Sequence, residues 1–340
     1  MERTRQVSRD YARLIRKREL RLTQAAAFAV LVISGSLPAL GEAYPARPIR
    51  LIVPYSAGSG ADITARQTMA KLSEFLDQNI IVENRPGTSA IVGTDAAAKA
   101  APDGYTLLFG VTQHAINPTL QPKLPYDTLN DFQPVARVTS QPLYMGVNVS
   151  IQGNSVSDVI AHIKANSGKY SYASTGIGTS IHLAGAYFAS HAGLAMLHVP
   201  YTNASQCIVD LGRGEVQVLF YTYSPLLAQL QSGRIKILGS TGAKRSAWAL
   251  DIPTMEEAGM PGFVMPAWLG VFAPTNTPSD VISVLEKALA KVANDPAYRK
   301  LIEPTGTDIY YAPSHEFGVF LREEIERFGE ILKSAGAKLQ

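Results

Sequence analysis

The feature of this sequence that most directly suggests chemistry is a glycine-spaced loop between an apolar strand and an amphipathic helix. It lies in PYSAGSGADITARQTMAKL, residues 54–72. A helix that begins near Asp62 leaves its first N–H groups without intrahelical acceptors, and its dipole adds positive charge at that end. The small residues from Ser56 to Gly60 let the backbone approach a ligand closely. The segment therefore predicts an anion-binding loop, with the kind of anion still open.

Three common chemistries lack their sequence motifs. The chain has no Gly-x-x-x-x-Gly-Lys-Ser/Thr phosphate loop, and GIGTSI (176–181) lacks the third glycine of a dinucleotide-binding turn. Ser59 stands between glycines but not in the Gly-x-Ser-x-Gly pattern of a nucleophile elbow. We therefore predict no catalytic residue and no cofactor.

A metal site is not expected either. The six histidines show no metal-ligand spacing, and His182 and His191 are nine residues apart. Cys207 is the only cysteine, which excludes an internal disulfide, and its helical neighbourhood indicates a buried thiol.

The elements that would hold the loop alternate between strand and helix. Short runs rich in Ile and Val, such as IRLIVPY (49–55) and NIIVENR (79–85), are separated by helical segments. This alternation predicts an α/β fold with largely parallel sheets.

Two extended stretches, 132–150 and 263–278, interrupt the alternation on either side of a complete α/β unit. They predict two lobes joined by a two-stranded hinge, with a ligand cleft between the lobes that closes by hinge bending. We place the first lobe at 44–143 and 266–340 and the second at 144–265.

The charge of the chain is concentrated at its beginning. Residues 1–43 carry eight Lys/Arg and four acidic residues, whereas the rest carries 23 and 24. The body is thus nearly neutral, and nucleic acid is not an expected partner. The basic leader precedes the apolar run 25–40 and the small residues before Tyr44, which predicts a signal peptide, cleavage after Ala43 and a periplasmic protein.

Eight segments, in order and at their spacing, resemble the extracytoplasmic solute receptors of tripartite tricarboxylate transporters, the Bug or TctC-like family. They are YPARPIRLIVPYSAGSGAD, VENRPG, AAPDGYTLLFG, NPTLQPKLPYDTLNDFQPVARV, STGIGTSIHLAG, HVPYTN, DIPTMEEAGMPGF and APTNTP. The resemblance implies a type II periplasmic-binding-protein fold, a small carboxylate ligand and delivery to a membrane permease.

The resemblance also implies a second half-site in YASTGIGTSIHLAG, residues 172–185. A strand again feeds a glycine-containing loop and a helix, so two helix N-termini, one per lobe, are expected to converge on one carboxylate. Main-chain N–H groups and hydroxyls suffice for this, because a carboxylate that accepts several such bonds stays ionised.

Loops at neighbouring strand ends supply further candidates, and Gln113 and Thr202 are expected to contact the ligand. Tyr144 and Trp268 lie on the two extended crossings and are expected either to wall the pocket or to pack in the hinge. The predicted ligand contacts are Tyr55, Ser56, Ala57, Gly58, Ser59, Gly60, Asp62, Thr112, His114, Ser174, Thr175, Gly176, Gly178, Thr179, Ser180, Tyr201, Asn203, Tyr221 and Thr222.

Tyr221 stands where many members of this family carry an aspartate, which would pair with a ligand ammonium group. Its absence favours a non-amino carboxylate. Tyr221 and Tyr223 alternate at a strand end, so one is expected to face the cleft and either to stack on an aromatic ligand or to hydrogen-bond to the ligand. The alternative is that both tyrosines pack between the lobes.

The sequence thus predicts a monomeric, non-catalytic receptor for a di- or tricarboxylate or an aromatic carboxylate. Two alternatives stay open: a secreted hydrolase or lyase acting on a small carboxylate, and a ligand receptor that docks to a sensor protein.

Overall fold

A computed structural model describes residues 44–121 and 123–334. The predicted signal peptide lies outside this part of the chain. Within the described residues, no helix is both long and apolar enough to cross a membrane. The strands are β1 (Ile49–Val53), β2 (Ile80–Asn84), β3 (Thr106–Val111), β4 (Phe132–Gln141), β5 (Tyr144–Asn148), β6 (Ser171–Ser174), β7 (Leu197–Pro200), β8 (Val218–Tyr221), β9 (Ile235–Ser240), β10 (Ala267–Pro274) and β11 (Asp308–Pro313).

The helices pack against these strands in the alternation that the sequence predicts. They are α1 (Gly60–Leu76), α2 (Ile91–Ala98), α3 (Gln113–Leu120), α4 (Val156–Ala165), α5 (Ser180–His191), α6 (Ala204–Arg213), α7 (Tyr223–Gln231), α8 (Ser279–Asn294), α9 (Pro296–Ile302) and α10 (Ser314–Ser334).

The strands form two separate sheets. One has the order β11-β4-β10-β3-β1-β2 and the other β7-β6-β8-β5-β9. The chain therefore builds most of the first sheet, leaves it to build the second, and returns to complete the first. This is the path expected for two lobes with a double crossing.

Both sheets are mixed, which differs from the expected largely parallel pairing. β1 is parallel to β2 and β3, and β6 is parallel to β7 and β8. β10 is antiparallel to β3 and β4, and β5 is antiparallel to β8 and β9. In the first sheet, the β10 pairs are antiparallel because the chain leaves this sheet through β4 and re-enters it through β10, beside β4 and in the opposite direction.

Thr241 joins the two segments that cross between the sheets. The Leu143 N–H donates to Thr241 Oγ1 at 2.9 Å, and this hydroxyl donates to the Met265 carbonyl, also at 2.9 Å. Its own N–H donates to the Leu143 carbonyl, and its carbonyl accepts from the Met265 N–H, both at 2.8 Å. Thr241 is fully buried, so its backbone and hydroxyl hold both crossings at one point.

Candidate ligand-binding cleft

A cavity of about 210 Å³ lies between elements of the two sheets. All of its lining side chains are uncharged, so any ionic ligand would meet neutral donors and helix ends. The lining residues are Tyr55, Ala61, Val111, Thr112, Gln113, Gln141, Thr175, Thr179, Ser180, Ile181, Ala267, Trp268 and Leu269.

The first loop ends in a capped helix N-terminus. Ser59 is extended (φ −68°, ψ 159°), and its Oγ accepts from the Asp62 N–H at 3.3 Å, as an N-cap serine does. The structure contains no acceptor among the described residues for the N–H groups of Gly60 and Ala61. Because Ala61 lines the cavity, this helix end offers free donors to a ligand.

Asp62 supports the loop, which differs from its predicted role as a ligand contact. Its side chain is 3% exposed and accepts from Gly58 N–H, Asn84 Nδ2 and Arg66 Nε at 2.8, 2.8 and 3.0 Å. Burial opposes ionisation, yet these hydrogen bonds hold the pKa of the carboxyl below its usual range. The Asp62 carboxylate therefore stabilises the loop from inside the protein. It does not line the cavity, where its negative charge would repel a ligand anion.

The second loop repeats this arrangement at α5. Thr179 is extended (φ −74°, ψ 157°), and its Oγ1 accepts from the His182 N–H at 3.2 Å and donates to the Gly176 carbonyl at 2.9 Å. Across the described residues, the N–H groups of Ser180 and Ile181 have no acceptor. Both residues line the cavity. Two helix N-termini, α1 beside the first sheet and α5 beside the second, therefore border the same space.

The second loop is tight because Gly178 has a left-handed φ of 79°. A Cβ there would lie 2.5 Å from Leu120 Cδ1. This glycine therefore also allows the loop to approach α3, which packs beside the first sheet. Its N–H donates to His182 Nδ1 at 3.1 Å. Burial, and secondarily the neighbouring His198, lower the pKa of His182 to about 4, which keeps this acceptor nitrogen unprotonated at neutral pH.

Ser174 lies behind the second loop and not at the cavity surface. It is fully buried, its Oγ is 2.7 Å from His198 Nε2, and it donates to the Gly176 carbonyl at 3.1 Å. The rings of His182 and His198 stack with centroids 4.1 Å apart. These groups rigidify the loop that presents Thr175, Thr179 and Ser180.

Thr112 closes the cleft on the side of the crossings. Its Oγ1 accepts from the Trp268 N–H at 2.9 Å, which leaves its hydroxyl hydrogen available to another acceptor. Gln141 also lines the cavity, and its Nε2 donates to Thr307 Oγ1 at 3.1 Å. The predicted cleft-wall position of Trp268 thus coincides with a lining residue, although its side chain is fully buried.

His114 does not line the cavity, and we leave it out of the proposed site. We expected a loop after β3, but the chain forms α3 there and turns His114 into the core. Its ring packs against Phe272, Phe132 and Tyr126, with centroids 4.8, 5.0 and 6.1 Å away. Neither ring nitrogen has a hydrogen-bond partner among the described residues, and burial lowers the pKa of His114 to about 3.

The ligand contacts predicted after α5 in the second lobe also lie outside the cavity lining. Tyr201 donates to Asp210 at 3.1 Å, and the Asn203 side chain caps α6 by accepting from Ser205 and Gln206 N–H. Tyr221 ends β8 within an apolar cluster, and Thr222 precedes α7 as its N-cap.

Tyr223 packs against Tyr144 and Trp248, with ring centroids 5.2 and 4.7 Å away. Tyr144 is itself fully buried and shares a 2.9 Å hydrogen bond with Ser246. Neither Tyr221 nor Tyr223 lines the cavity. This geometry fits the alternative that both side chains pack within the protein better than it fits stacking on a ligand.

Sequence reasoning missed several lining residues, and most of them are apolar. They are Ala61, Val111, Gln141, Ile181, Ala267 and Leu269. Ala61 and Ile181 each follow the first residue of a capped helix, so the Ser59 and Thr179 cap signals were sufficient to find them.

The chain matches the family model described as "Tripartite tricarboxylate transporter family receptor" over residues 64–337. It is 32% identical to the protein BugT of Bordetella pertussis over 305 residues, which cover 89% of this chain and 94% of BugT.

Two solved structures from Rhodopseudomonas palustris are similar over nearly all of their length. Rpa4515 with adipate shares 28% identity at a TM-score of 0.76, covering 87% of this chain and all of that one. MatC with bound malate shares 26% identity at a TM-score of 0.71, covering 85% of this chain and all of MatC. The predicted two-lobe α/β fold of periplasmic binding proteins is confirmed by these likenesses. The chain therefore belongs to the tripartite tricarboxylate transporter receptors, as its motifs indicate, and is a solute-binding protein and not an enzyme.

Proposed function

We propose that this protein captures a small, non-amino carboxylate in the 210 Å³ cleft and delivers it to the permease of a tripartite tricarboxylate transporter. One observation carries the proposal: α1 lines the cavity with Ala61 and α5 lines it with Ser180 and Ile181, and the N–H groups of these residues have no acceptor among the described residues. An anion at their meeting point satisfies these donors and interacts favourably with both helix dipoles.

The uncharged lining supports a carboxylate held by neutral donors. Thr112, Thr175, Thr179 and Ser180 add hydroxyl groups around the helix ends. No acidic side chain lines the cavity within the described chain, so a ligand ammonium group would lose its water without gaining a carboxylate partner. This argues against an amino acid ligand.

The size of the cavity favours a compact ligand. At about 210 Å³ it is smaller than the roughly 300–1,000 Å³ typical of pockets for drug-sized molecules. Two similar proteins are described with adipate and with malate, both aliphatic dicarboxylates. We therefore favour an aliphatic dicarboxylate over an aromatic acid, which Tyr221 was expected to recognise.

Two lobes close on this ligand. The first lobe comprises residues 44–143 and 266–340, and the second comprises residues 144–265. Thr241 is hydrogen-bonded to both segments that connect the lobes. Hinge bending at this point changes the distance between the N-termini of α1 and α5. Closure would bury the ligand and change the surface presented to a permease.

Export is part of the proposal because the permease takes its ligand from the periplasm. We propose cleavage after Ala43. N-terminal sequencing of the exported protein tests this step, and a mature chain that does not begin at Tyr44 contradicts the cleavage site.

Calorimetric titration of ligand-stripped protein against matched carboxylates tests the binding function. The panel contains malate, succinate, adipate, citrate, benzoate and glutamate, with dimethyl succinate as the uncharged control. We expect an aliphatic di- or tricarboxylate to bind and its methyl ester not to bind, because the ester cannot present an anion to the helix ends. Binding of glutamate in preference to succinate, or equal binding of the acid and its ester, would contradict the proposal.

A further inference from the structure

A second cavity, larger than the cleft, lies beside the chain segments that connect the two sheets. Its volume is about 470 Å³, and it shares no lining residue with the cleft. Strands β4 and β11 and helix α10 form one side, and the segments after β9 and before β10 form the other. It is therefore bounded by both lobes and is separate from the proposed carboxylate site.

Arg137 places a buried cation in this cavity. The residue is 5% exposed, and its guanidinium lies 4.2 Å from the ring centroid of Tyr310 and 4.1 Å from that of Phe320. Its Nε is buried without a hydrogen-bond partner, and no carboxylate in the described part of the chain lies within ion-pair distance. A buried charge without a partner is costly, so this position suits an anion that enters from outside.

The other charged groups around the cavity are already engaged. Glu324 pairs with Arg327 at 2.5 Å and accepts from the Trp268 indole. Asp308 accepts from Ser246 Oγ at 2.8 Å, and Lys244 lies close enough to favour its ionised form. Among the described residues, Arg137 makes no ion pair of its own. Glu324 interacts with it electrostatically from beyond ion-pair distance but is paired with Arg327, and burial is the main cause that lowers the pKa of Arg137 to about 10.

The rest of the cavity wall is largely apolar. Val264, Pro266 and Ile309 contribute aliphatic surface beside the rings of Tyr310 and Phe320. A bare inorganic ion would leave this surface in water, whereas an anion with a flat apolar body would cover it. The volume falls within the range of pockets that hold small organic molecules.

We propose that this pocket is a second ligand site, which binds a small aromatic carboxylate with its carboxyl group on Arg137 and its ring between Tyr310 and the Pro266 side of the cavity. The site is distinct from the proposed carboxylate cleft. Because residues from both lobes line it, its occupant also contacts both sides of the hinge.

Benzoate is the probe, and ligand-observed NMR with the purified full-length protein gives its affinity. We expect wild-type protein to bind benzoate and to ignore benzamide, the neutral molecule of the same shape. Arg137→Gln should weaken benzoate binding by at least about tenfold, because a charge-assisted hydrogen bond is lost. Gly60→Pro, which alters the cleft and not this pocket, should leave benzoate binding unchanged.

A second variant protects the test against misfolding of Arg137→Gln. Tyr310 is 46% exposed, so Tyr310→Ala removes one wall of the pocket at small risk to the fold and should weaken benzoate several-fold. No benzoate binding to the wild type at about 10 mM overturns the proposal. So does binding that both pocket variants leave intact, or binding that Gly60→Pro abolishes.

Discussion

The indole Nε1 of Trp268 donates a 3.1 Å hydrogen bond to Glu324 Oε2 at the boundary between the two cavities. Trp268 lines the cleft, whereas Glu324 lines the pocket behind the crossings. The Trp268 N–H also donates to Thr112 in the cleft. This one residue therefore ties the base of the ligand site to helix α10, and α10 in turn holds Glu324 and Arg327 as an ion pair.

We expect Trp268→Phe to lower the free energy of unfolding by about 1.5–3 kcal/mol, because a buried carboxylate loses a donor. Glu324→Gln keeps an acceptor for the indole but removes the charge that pairs with Arg327. Chemical denaturation of both single variants and the double variant forms a double-mutant cycle. Strict additivity of the two losses would contradict an energetic link between these side chains.

The donors of α5 can be tested by a matched pair at Ser180. Proline suits the first helical position, and Thr179 before it is already extended, so Ser180→Pro removes an N–H group with little effect on the helix. We expect it to weaken carboxylate binding by about tenfold or more. Ser180→Ala keeps the N–H and should lose less affinity, as measured by calorimetry. Equal losses in the two variants would assign the effect to the hydroxyl group.

Gly60 allows the same comparison in the other lobe. Ser59 is extended before it, and a Cβ at Gly60 meets no atom within 4 Å. Gly60→Pro should therefore fold normally and bind the carboxylate about tenfold more weakly, whereas Gly60→Ala should bind like the wild type. If Gly60→Pro retains full affinity while Ser180→Pro does not, the ligand is held by the second lobe alone.

The helix ends could be predicted from sequence because their signals are local. Small residues before Ser59 and Thr179 and a helix-forming run after each of them identify an N-cap and the free donors beyond it. The position of His114 could not be read in this way. A helix of eight residues with Pro118 inside it looks like a loop, and only packing against Phe132 and Phe272 shows that the ring belongs to the core.

The pocket at Arg137 depends on contacts that no local pattern contains. Strand β11 was not predicted, and it brings Tyr310 beside Arg137 from more than 170 positions away along the chain. The first sheet is mixed for a related reason, since the direction of β10 follows from where the chain re-enters the first lobe. The alternation of strands and helices up to β9 could largely be predicted from sequence, whereas β11 and these juxtapositions required the fold.

Thr241 offers a test of the hinge. Thr241→Val keeps the shape of the side chain but removes the hydroxyl that links the two crossings, so the Leu143 N–H and the Met265 carbonyl both lose a partner. We expect a loss of about 1–3 kcal/mol in the free energy of unfolding. Thr139→Val is the matched control, because Thr139 is equally buried and its hydroxyl has no partner within the described residues. Similar losses in both variants would show that Thr241 has no special role.

His114 predicts how stability depends on pH. Its folded-state pKa of about 3 lies below the ordinary value of 6.5, because burial disfavours the charged ring. As the pH falls from about 6.5 towards 3, the unfolded chain takes up a proton that the folded protein does not. The free energy of unfolding should therefore decrease over this range by up to about 1.4 kcal/mol per pH unit from this residue.

We expect His114→Phe, which suits the surrounding aromatic rings, to reduce this slope between pH 6.5 and 5, where most carboxylates still stay ionised. Urea denaturation at several pH values measures the slope independently of any change in absolute stability. The exposed His315, replaced by Gln, serves as the surface control for the loss of one histidine. A His114→Phe slope equal to that of the wild type would mean that the buried ring accepts a proton in the folded protein, and the aromatic environment at α3 would then have to open to admit it.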